Sequence, residues 1–253
     1  MRDFTLTIYK KILFEFLQVG YRFVSFGEFI QNSDKKEGTI ILRHDVDRLP
    51  EQALKMARIE HGMRVKASYY FRCHRHGFDE SVIRSVAALG HEIGYHYEDL
   101  SHAQGNFEKA ITAFEKNLAG LRKLAEIKTI CMHGNPLGNF DNRKLWERYD
   151  YRNFGIIFEP YFDIDYSNVF YITDTGRKWN SDNSNIRDKV NSGNNIRFRN
   201  TNNLILLIKF NKMPKKLVIN VHPQRWNNKF FPWAKELIWQ NMKNKVKYFL
   251  VNR

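Results

Sequence analysis

The sequence has little cysteine and no long run of apolar residues. Only two cysteines, Cys73 and Cys131, occur among its 253 residues, so we expect no disulfide framework. No apolar stretch reaches the roughly 20 residues that a membrane-spanning helix needs. The segment Met1–Leu6 lacks the basic-then-apolar layout of a signal peptide. These absences favour a cytoplasmic protein without a membrane span.

Acidic residues are the minority among the charged residues. Lys and Arg number 41 against 27 Asp and Glu, which gives a formal net charge of +14. The basic residues form no run of five or more, and no common nucleic-acid-binding signature is present. We therefore predict no nucleic-acid partner, and the positive charge suits an acidic or nucleotide-linked sugar.

Apolar segments of strand length alternate with segments of helical periodicity through the first 150 residues. This alternation predicts an α/β fold with a parallel sheet or barrel, and 43% hydrophobic residues are enough for one sizeable core. We predict a single domain over residues 1–253. Within it, residues 1–37 form a helical and strand lead-in, and the Asn-rich residues 180–203 form a long loop.

The segment Ile40–Asp47, I-I-L-R-H-D-V-D, is an apolar strand that ends in two carboxylates. Side chains alternate along a strand, so Asp45 and Asp47 lie on the same side. One carboxylate is then available to bind a metal while the other acts as a base. The alternative is a turn that leaves the strand and caps the next helix.

Two more segments place polar side chains where a strand ends. Gly90–His102, G-H-E-I-G-Y-H-Y-E-D-L-S-H, carries His96 and His102 with acidic residues between them. Val218–Trp226, V-I-N-V-H-P-Q-R-W, delivers His222 at the end of an apolar strand. Sites in parallel α/β folds are built at the carboxyl ends of strands. His and Asp are workable ligands for zinc or another divalent transition metal.

These motifs resemble the polysaccharide deacetylase superfamily, the NodB-homology or carbohydrate esterase family four fold. The resemblance covers roughly residues 38–228 and is nearest to a divergent branch with R-H-D-V-D and H-P-Q-R-W motifs. It implies an irregular (β/α)7-type barrel of the TIM-like kind. It also implies a hydrolase that removes acetyl groups from sugars with one divalent metal, zinc first, with cobalt, nickel or iron as alternatives.

The resemblance also implies roles for individual residues. Asp45 matches the general base and His222 the general acid. Asp47 and His96 match two of the metal ligands. Leu100 stands where the family has the next metal-binding His, so we expect His102 as the third ligand, with Glu98 or no third ligand as alternatives.

A second departure concerns the arginine that orients the base. Gly134 stands at its place, and Arg43, His133 or Arg177 are the candidates to compensate. We also assign these three residues to substrate binding, together with Trp179 as a stacking wall and Arg225 for a phosphate or carboxylate. Core packing and surface ion pairs are the alternatives for these aromatic and basic residues.

The sequence thus predicts a metal-dependent deacetylase that hydrolyses an N-acetyl amide. The expected substrate is a saccharide of surface glycan metabolism, either free or linked to a nucleotide or phosphate. One alternative is a catalytically inactive barrel that binds glycan. The other is hydrolysis of a different C–N bond on the same fold.

Overall fold

The computed structural model describes residues 2–31, 38–74, 76–134, 139–179, 190 and 196–251, in which helices and strands alternate. The strands are β1 (Arg22–Val24), β2 (Thr39–Val46), β3 (Ser68–Phe71), β4 (Glu92–Tyr97), β5 (Ile127–Met132), β6 (Phe170–Thr173) and β7 (Lys216–Val221). The α-helices are α1 (Leu6–Gln18), α2 (Phe26–Gln31), α3 (Pro50–Gly62), α4 (Glu80–Ala88), α5 (Asp99–His102), α6 (Phe107–Arg122), α7 (Pro160–Asp163), α8 (Thr201–Lys209) and α9 (Phe230–Val251).

All seven of these strands belong to one parallel sheet. Their order is β5-β4-β3-β2-β7-β6, and β1 pairs with the first residues of β2. Helices connect the strands, as parallel pairing requires. The prediction of a seven-stranded parallel α/β fold is confirmed.

The sheet curls around an inner face. One cluster of buried apolar side chains contains Cys131 of β5 and Tyr171 of β6, which are the two ends of the strand order. Phe158 belongs to the same cluster, and its backbone forms an isolated parallel β-bridge with Thr129 of β5. Strands at opposite ends of the order therefore line one interior, as in an irregular barrel.

The outer face carries the larger core. Apolar side chains of α1, α3, α4, α6 and α8 pack there against alternate residues of the strands, including Ile40, Leu42 and Val46 of β2. All eight residues of β2 are buried, because helices cover one face and the barrel interior covers the other. Neighbouring residues of β2 thus project into two different environments.

Local sequence determines where several helices begin. The side chains of Thr5, Asp79, Asn106 and Asn200 each accept a backbone N–H of the first turn of the helix that follows. On the inner face, a Cβ at Gly94 would collide with the ring of Tyr70. Glycine at this position therefore lets the Tyr70 ring cross β4.

Some element boundaries differ from those predicted. β2 and β4 continue to Val46 and Tyr97, since neighbouring strands pair with the polar residues that follow their apolar segments. Helix α8 begins at Thr201, so residues 201–203 of the predicted Asn-rich loop are helical. Residues 180–189 and 191–195 of that loop lie outside the described residues.

The described part of the predicted lead-in, residues 1–37, contributes to the sheet through β1. Residues 32–37 lie outside the described part. Across the described chain, no helix is long and apolar enough to cross a membrane.

Candidate functional site

The carboxyl ends of β2, β4, β5 and β7 bring polar side chains together on the inner face. Asp45 lies near the end of β2, His96 on β4, and His222 directly after β7. Asp47 and His133 follow the ends of β2 and β5. Parallel strands end at one edge of a sheet, which explains why residues far apart in sequence meet there.

Asp47, His96 and His133 form one of the groups of three side chains that could hold a metal ion, and Asp45, His96 and Cys131 form another. The Nε2 atom of His96 lies 3.5 Å from Oδ1 of Asp47, and Nε2 of His133 lies 3.4 Å from the same oxygen. Ligand atoms around a tetrahedral zinc, with bonds of about 2.0–2.1 Å, lie roughly 3.3–3.4 Å apart. The spacing therefore fits a single zinc-sized ion.

The other ring nitrogen of each histidine is already engaged. Nδ1 of His96 lies 2.9 Å from the carbonyl oxygen of Cys131, to which it donates as an N–H. Nδ1 of His133 lies 2.9 Å from Oε2 of Glu98. An oxygen beside each Nδ1 leaves Nε2 as the nitrogen that faces Asp47, which is the usual arrangement around a metal-binding histidine.

Only one oxygen of the Asp47 carboxylate accepts a hydrogen bond from a described residue. Its Oδ2 accepts a hydrogen bond from Nε2 of Gln224 at 2.9 Å, whereas its buried Oδ1 has no hydrogen-bond partner among the described residues. Burial alone would raise the pKa of Asp47, but His96 and His133 overcome this effect and hold it well below its usual value. Positive charge is therefore favoured beside this buried oxygen, which fits a cation bound between it and the two Nε2 atoms.

Helix α5 separates His102 from this group. Leu100 is buried in the outer core, and the helix carries His102 to the far side of Glu98, where Nε2 of His102 lies 3.5 Å from Oε2. There His102 stacks on His74 with ring centroids 3.8 Å apart. The structure thus joins His133, rather than His102, to Asp47 and His96, and groups His102 with His74 and Glu98.

Glu98 is the carboxylate between these two groups. It accepts two hydrogen bonds from Arg72, at 2.6 Å from Nε and 2.8 Å from Nη2. Burial would raise its pKa, but His133 and Arg72 lower it well below its usual value. Glu98 is therefore ionised, and its position beside Nδ1 of His133 orients that ring.

Asp45 is held by a residue of its own strand. Arg43 donates from Nε to Oδ1 at 2.8 Å and from Nη2 to Oδ2 at 2.7 Å, while Asn220 donates to Oδ2 at 3.1 Å. Burial alone would raise the pKa of Asp45, but Arg43, with His96 and His222 nearby, holds it well below its usual range. Arg43 therefore fixes the orientation of the Asp45 carboxylate.

His222 is fixed by Asp174, which follows β6. Nδ1 of His222 lies 2.6 Å from Oδ1 of Asp174, and Asp174 also accepts from Arg225 at 2.6 Å and from Trp226 at 2.7 Å. Burial would raise the pKa of Asp174, but Arg225 and His222 lower it. The carboxylate favours the proton on Nδ1 and leaves Nε2 of His222 at 3.9 Å from Asp45.

The residues expected to bind substrate lie around this framework. Arg177 donates to the carbonyl oxygen of Trp233, and its guanidinium lies over two aromatic rings. Trp179 is 4% exposed and donates to Thr201. Arg225 binds Asp174, as described above. Trp179 thus packs in the outer core, and direct contacts of Arg177, Trp179 and Arg225 with substrate stay predictions.

Sequence reasoning missed two residues that hold the carboxylates. Asn220 supports Asp45, and strand alternation offered a signal for it, because Asn220 precedes His222 by two residues and shares its face. Gln224 supports Asp47 from the turn after β7, and no sequence pattern indicates this contact. Glu98 and His133, which the sequence analysis named as candidates, both lie at the possible metal position beside Asp47. The spacing of the motifs did not specify how they are arranged there.

The chain is similar to solved structures of CE4 family proteins. A mutant of the CE4 family pseudoenzyme BA3943 with restored enzymatic activity is 10% identical, with a TM-score of 0.46, over 84% of this chain and 64% of that one. Wild-type BA3943 from Bacillus anthracis is 11% identical, with a TM-score of 0.45, over 84% and 62%. A family 4 carbohydrate esterase from Bacillus anthracis is 14% identical, with a TM-score of 0.43, over 84% and 79%.

The chain spans 64% of the length of the first of these structures. No family model matches the chain, and no curated protein does. The matched structures are of the family that the sequence motifs resemble. With such low identity, the functional argument below rests on the residues of the site itself.

Proposed function

We propose that this protein is a metal-dependent hydrolase that removes an N-acetyl group from a saccharide or nucleotide sugar. One observation carries the proposal: the unpartnered Oδ1 of Asp47 faces the Nε2 atoms of His96 and His133. Asp45 and His222 flank this group on the same face. The arrangement supplies a metal position, a base and an acid within one small space.

Asp47, His96 and His133 would hold the metal. Two imidazole nitrogens and one carboxylate oxygen form a set that zinc accepts readily, and cobalt, nickel and iron accept the same donors. When bound, the metal would polarise the acetyl carbonyl and lower the pKa of a bound water. His102 is outside this set in the proposal.

The residues of the chain itself divide the proton transfers between them. Asp45, kept ionised by Arg43, takes a proton from the attacking water. His222, held through Nδ1 by Asp174, presents Nε2 to give a proton to the departing sugar nitrogen. Because Asp174 and Arg43 fix these two side chains in advance, little reorganisation is needed during the reaction.

The substrate side of the proposal extends the sequence prediction. An N-acetylated sugar, free or linked to a nucleotide or phosphate, suits the positive charge of the chain. A role in surface glycan metabolism and a cytoplasmic location stay predictions. Hydrolysis of another C–N bond would use the same metal position, the same base and the same acid.

Metal analysis combined with acetate release tests the proposal. Protein purified without chelator is expected to hold about one divalent ion per chain and to release acetate from members of a panel of N-acetylated saccharides and nucleotide sugars. Asp47→Ala, His96→Ala and His133→Ala should each lose the ion. His102→Ala and Cys131→Ser are the matched controls, because they remove potential ligands outside the proposed set.

The outcomes separate the competing functions. Metal retention in His133→Ala, with loss in His102→Ala, would restore the ligand set expected from sequence. No metal after reloading with zinc or cobalt would favour a barrel that binds glycan without hydrolysing it. Bound metal without acetate release, together with hydrolysis of a cyclic amide, would favour the other C–N bond reaction.

A further inference from the structure

Helix α9 exposes a stripe of apolar side chains on its outward face. Phe231 is 83% exposed, Ile238 62% and Met242 56%, and Trp239 and Val246 are also exposed. At 100° per residue these five positions fall within roughly 100° of the helix circumference, and they extend over about 22 Å of its length. Isolated exposed apolar residues need no explanation, whereas five of them on one helix face mark an interaction surface.

Lysines border the stripe on both sides. Lys243 and Lys245 flank it, and Lys235 lies within its span. Over residues 229–246, every exposed charged side chain is a lysine, because Glu236 is buried and pairs with Arg48 at 2.6 Å. The outward face of α9 therefore combines aromatic and aliphatic residues with positive charge alone.

The inward face of α9 lies against segments that support the candidate site. Asn244 donates to the carbonyl oxygen of Gly176, and Arg177 donates to that of Trp233. The Arg48–Glu236 pair joins the helix to the loop that follows Asp47. One helix diameter, roughly 10–12 Å, thus separates these segments from whatever contacts the outward face.

We infer that the outward face of α9 docks on an anionic lipid bilayer. Aromatic and aliphatic side chains on one face, flanked by lysines, are the composition of a helix that lies in the headgroup region of a membrane. The lysines supply electrostatic attraction to anionic headgroups. A second copy of the chain fits less well, because pairing two such faces would oppose lysine to lysine.

Vesicle sedimentation tests this inference without any substrate. Wild-type protein is expected to bind vesicles of phosphatidylglycerol and phosphatidylcholine at low salt, and to bind pure phosphatidylcholine vesicles about tenfold more weakly or worse. The double variant Trp239→Ser with Met242→Gln should lose about tenfold or more of the binding to anionic vesicles. The double variant Leu206→Gln with Phe210→Ser, which removes exposed apolar residues of α8 and the residue after it, is the matched control.

Sedimentation of the protein alone completes the test. Failure of the wild type to bind anionic vesicles, or equal binding by both double variants, would overturn the inference. A dimer that disappears in Trp239→Ser with Met242→Gln would identify the stripe as a contact between copies of the chain instead. Asp47→Ala should bind vesicles like the wild type, so a failure of the proposed catalytic function leaves this result unaffected.

Discussion

Two clusters of carboxylate and histidine, one partly buried and one fully buried, lie on opposite faces of β2. On the inner face, Asp47 meets His96 and His133. On the outer face, Glu60 of α3 meets His44 of β2 at 2.8 Å and His91 at 3.6 Å. In both clusters the carboxyl pKa is lowered from its usual value by neighbouring histidines, against the opposing effect of burial.

The clusters differ in how fully their carboxylates are used. Both oxygens of Glu60 accept a tyrosine hydroxyl, from Tyr9 at 2.5 Å and from Tyr69 at 2.8 Å. One oxygen of Asp47 has no such partner and lies at the carboxyl end of the strands. A buried, titratable cluster is therefore not by itself a functional site. The mark of the site is a carboxylate oxygen that accepts no hydrogen bond and lies between two imidazole nitrogens.

Removing the carboxylate of the outer cluster is expected to have the largest effect on stability. Glu60→Ala leaves two histidines and two tyrosines without their shared partner, and we expect a loss of about 3–5 kcal/mol in the free energy of unfolding. Denaturant unfolding with excess chelator measures it. Asp47→Ala, measured in the same way, should cost less, because Asp47 accepts one hydrogen bond, from Gln224, whereas Glu60 accepts two from tyrosines. Equal losses in the two variants would remove the distinction between the clusters.

Asp45→Asn tests the inner cluster through catalysis. The amide keeps the size of the side chain but cannot take a proton, so turnover should fall by about 10²–10⁴-fold. Metal content is expected to stay at the wild-type level, which separates loss of the base from loss of the site. Hydrolysis at the wild-type rate would show that Asp45 is not the base.

Glu98→Gln tests how far the inner cluster depends on the carboxylate behind His133. Without the negative charge of Glu98 beside Nδ1, His133 becomes a weaker metal ligand and its ring is less firmly oriented. Metal affinity should therefore fall by about 10–100-fold. Competition with a metal chelator measures the affinity. Unchanged affinity would mean that the carboxylate only anchors Arg72.

Asp99 provides a buried carboxyl whose hydrogen-bond partners in the described part of the chain are uncharged. Burial raises its pKa to about 6, although Tyr95 and Asn117 donate hydrogen bonds to it. The folded state therefore holds this proton more tightly than the unfolded state, so the stabilisation is complete below the ordinary pKa and is lost as pH rises through about 6. Between about pH 4 and pH 7, wild type should lose about 1–3 kcal/mol relative to Asp99→Asn. Parallel pH profiles of the two proteins would contradict this shift.

Strand periodicity predicted most of the fold. The limits of β7 agree with those predicted, and the helices that begin near Thr5, Pro50 and Asn106 were found within a few residues. β6 was not separated from the aromatic-rich residues around it, because its four residues are too short for a pattern. Alternation also placed Asp45 and Asp47 on one side, as the site requires.

The assembly of the site was less accessible from sequence. Motif spacing pointed to His102, because it is the next histidine after His96. The single turn of α5 carries His102 away, and the end of β5 carries His133 in. The Glu60 cluster was not anticipated, since Glu60 and His91 lie in different elements and meet only through packing. Contacts of this kind depend on how elements dock, which no local pattern encodes.

Because His44 and Asp45 point to opposite faces of β2, they also disfavour a shifted register between β2 and its neighbouring strands. A slip of one residue against β3 and β7 would turn Asp45 towards Glu60 and His44 into the barrel. Two carboxylates would then share a dry interior, and Asp45 would lose its hydrogen bond from Asn220 of β7. Mispaired arrangements of the sheet are thereby penalised electrostatically as well as by lost apolar contact. The charged residues of the site thus also favour the correct pairing of β2 as the chain folds.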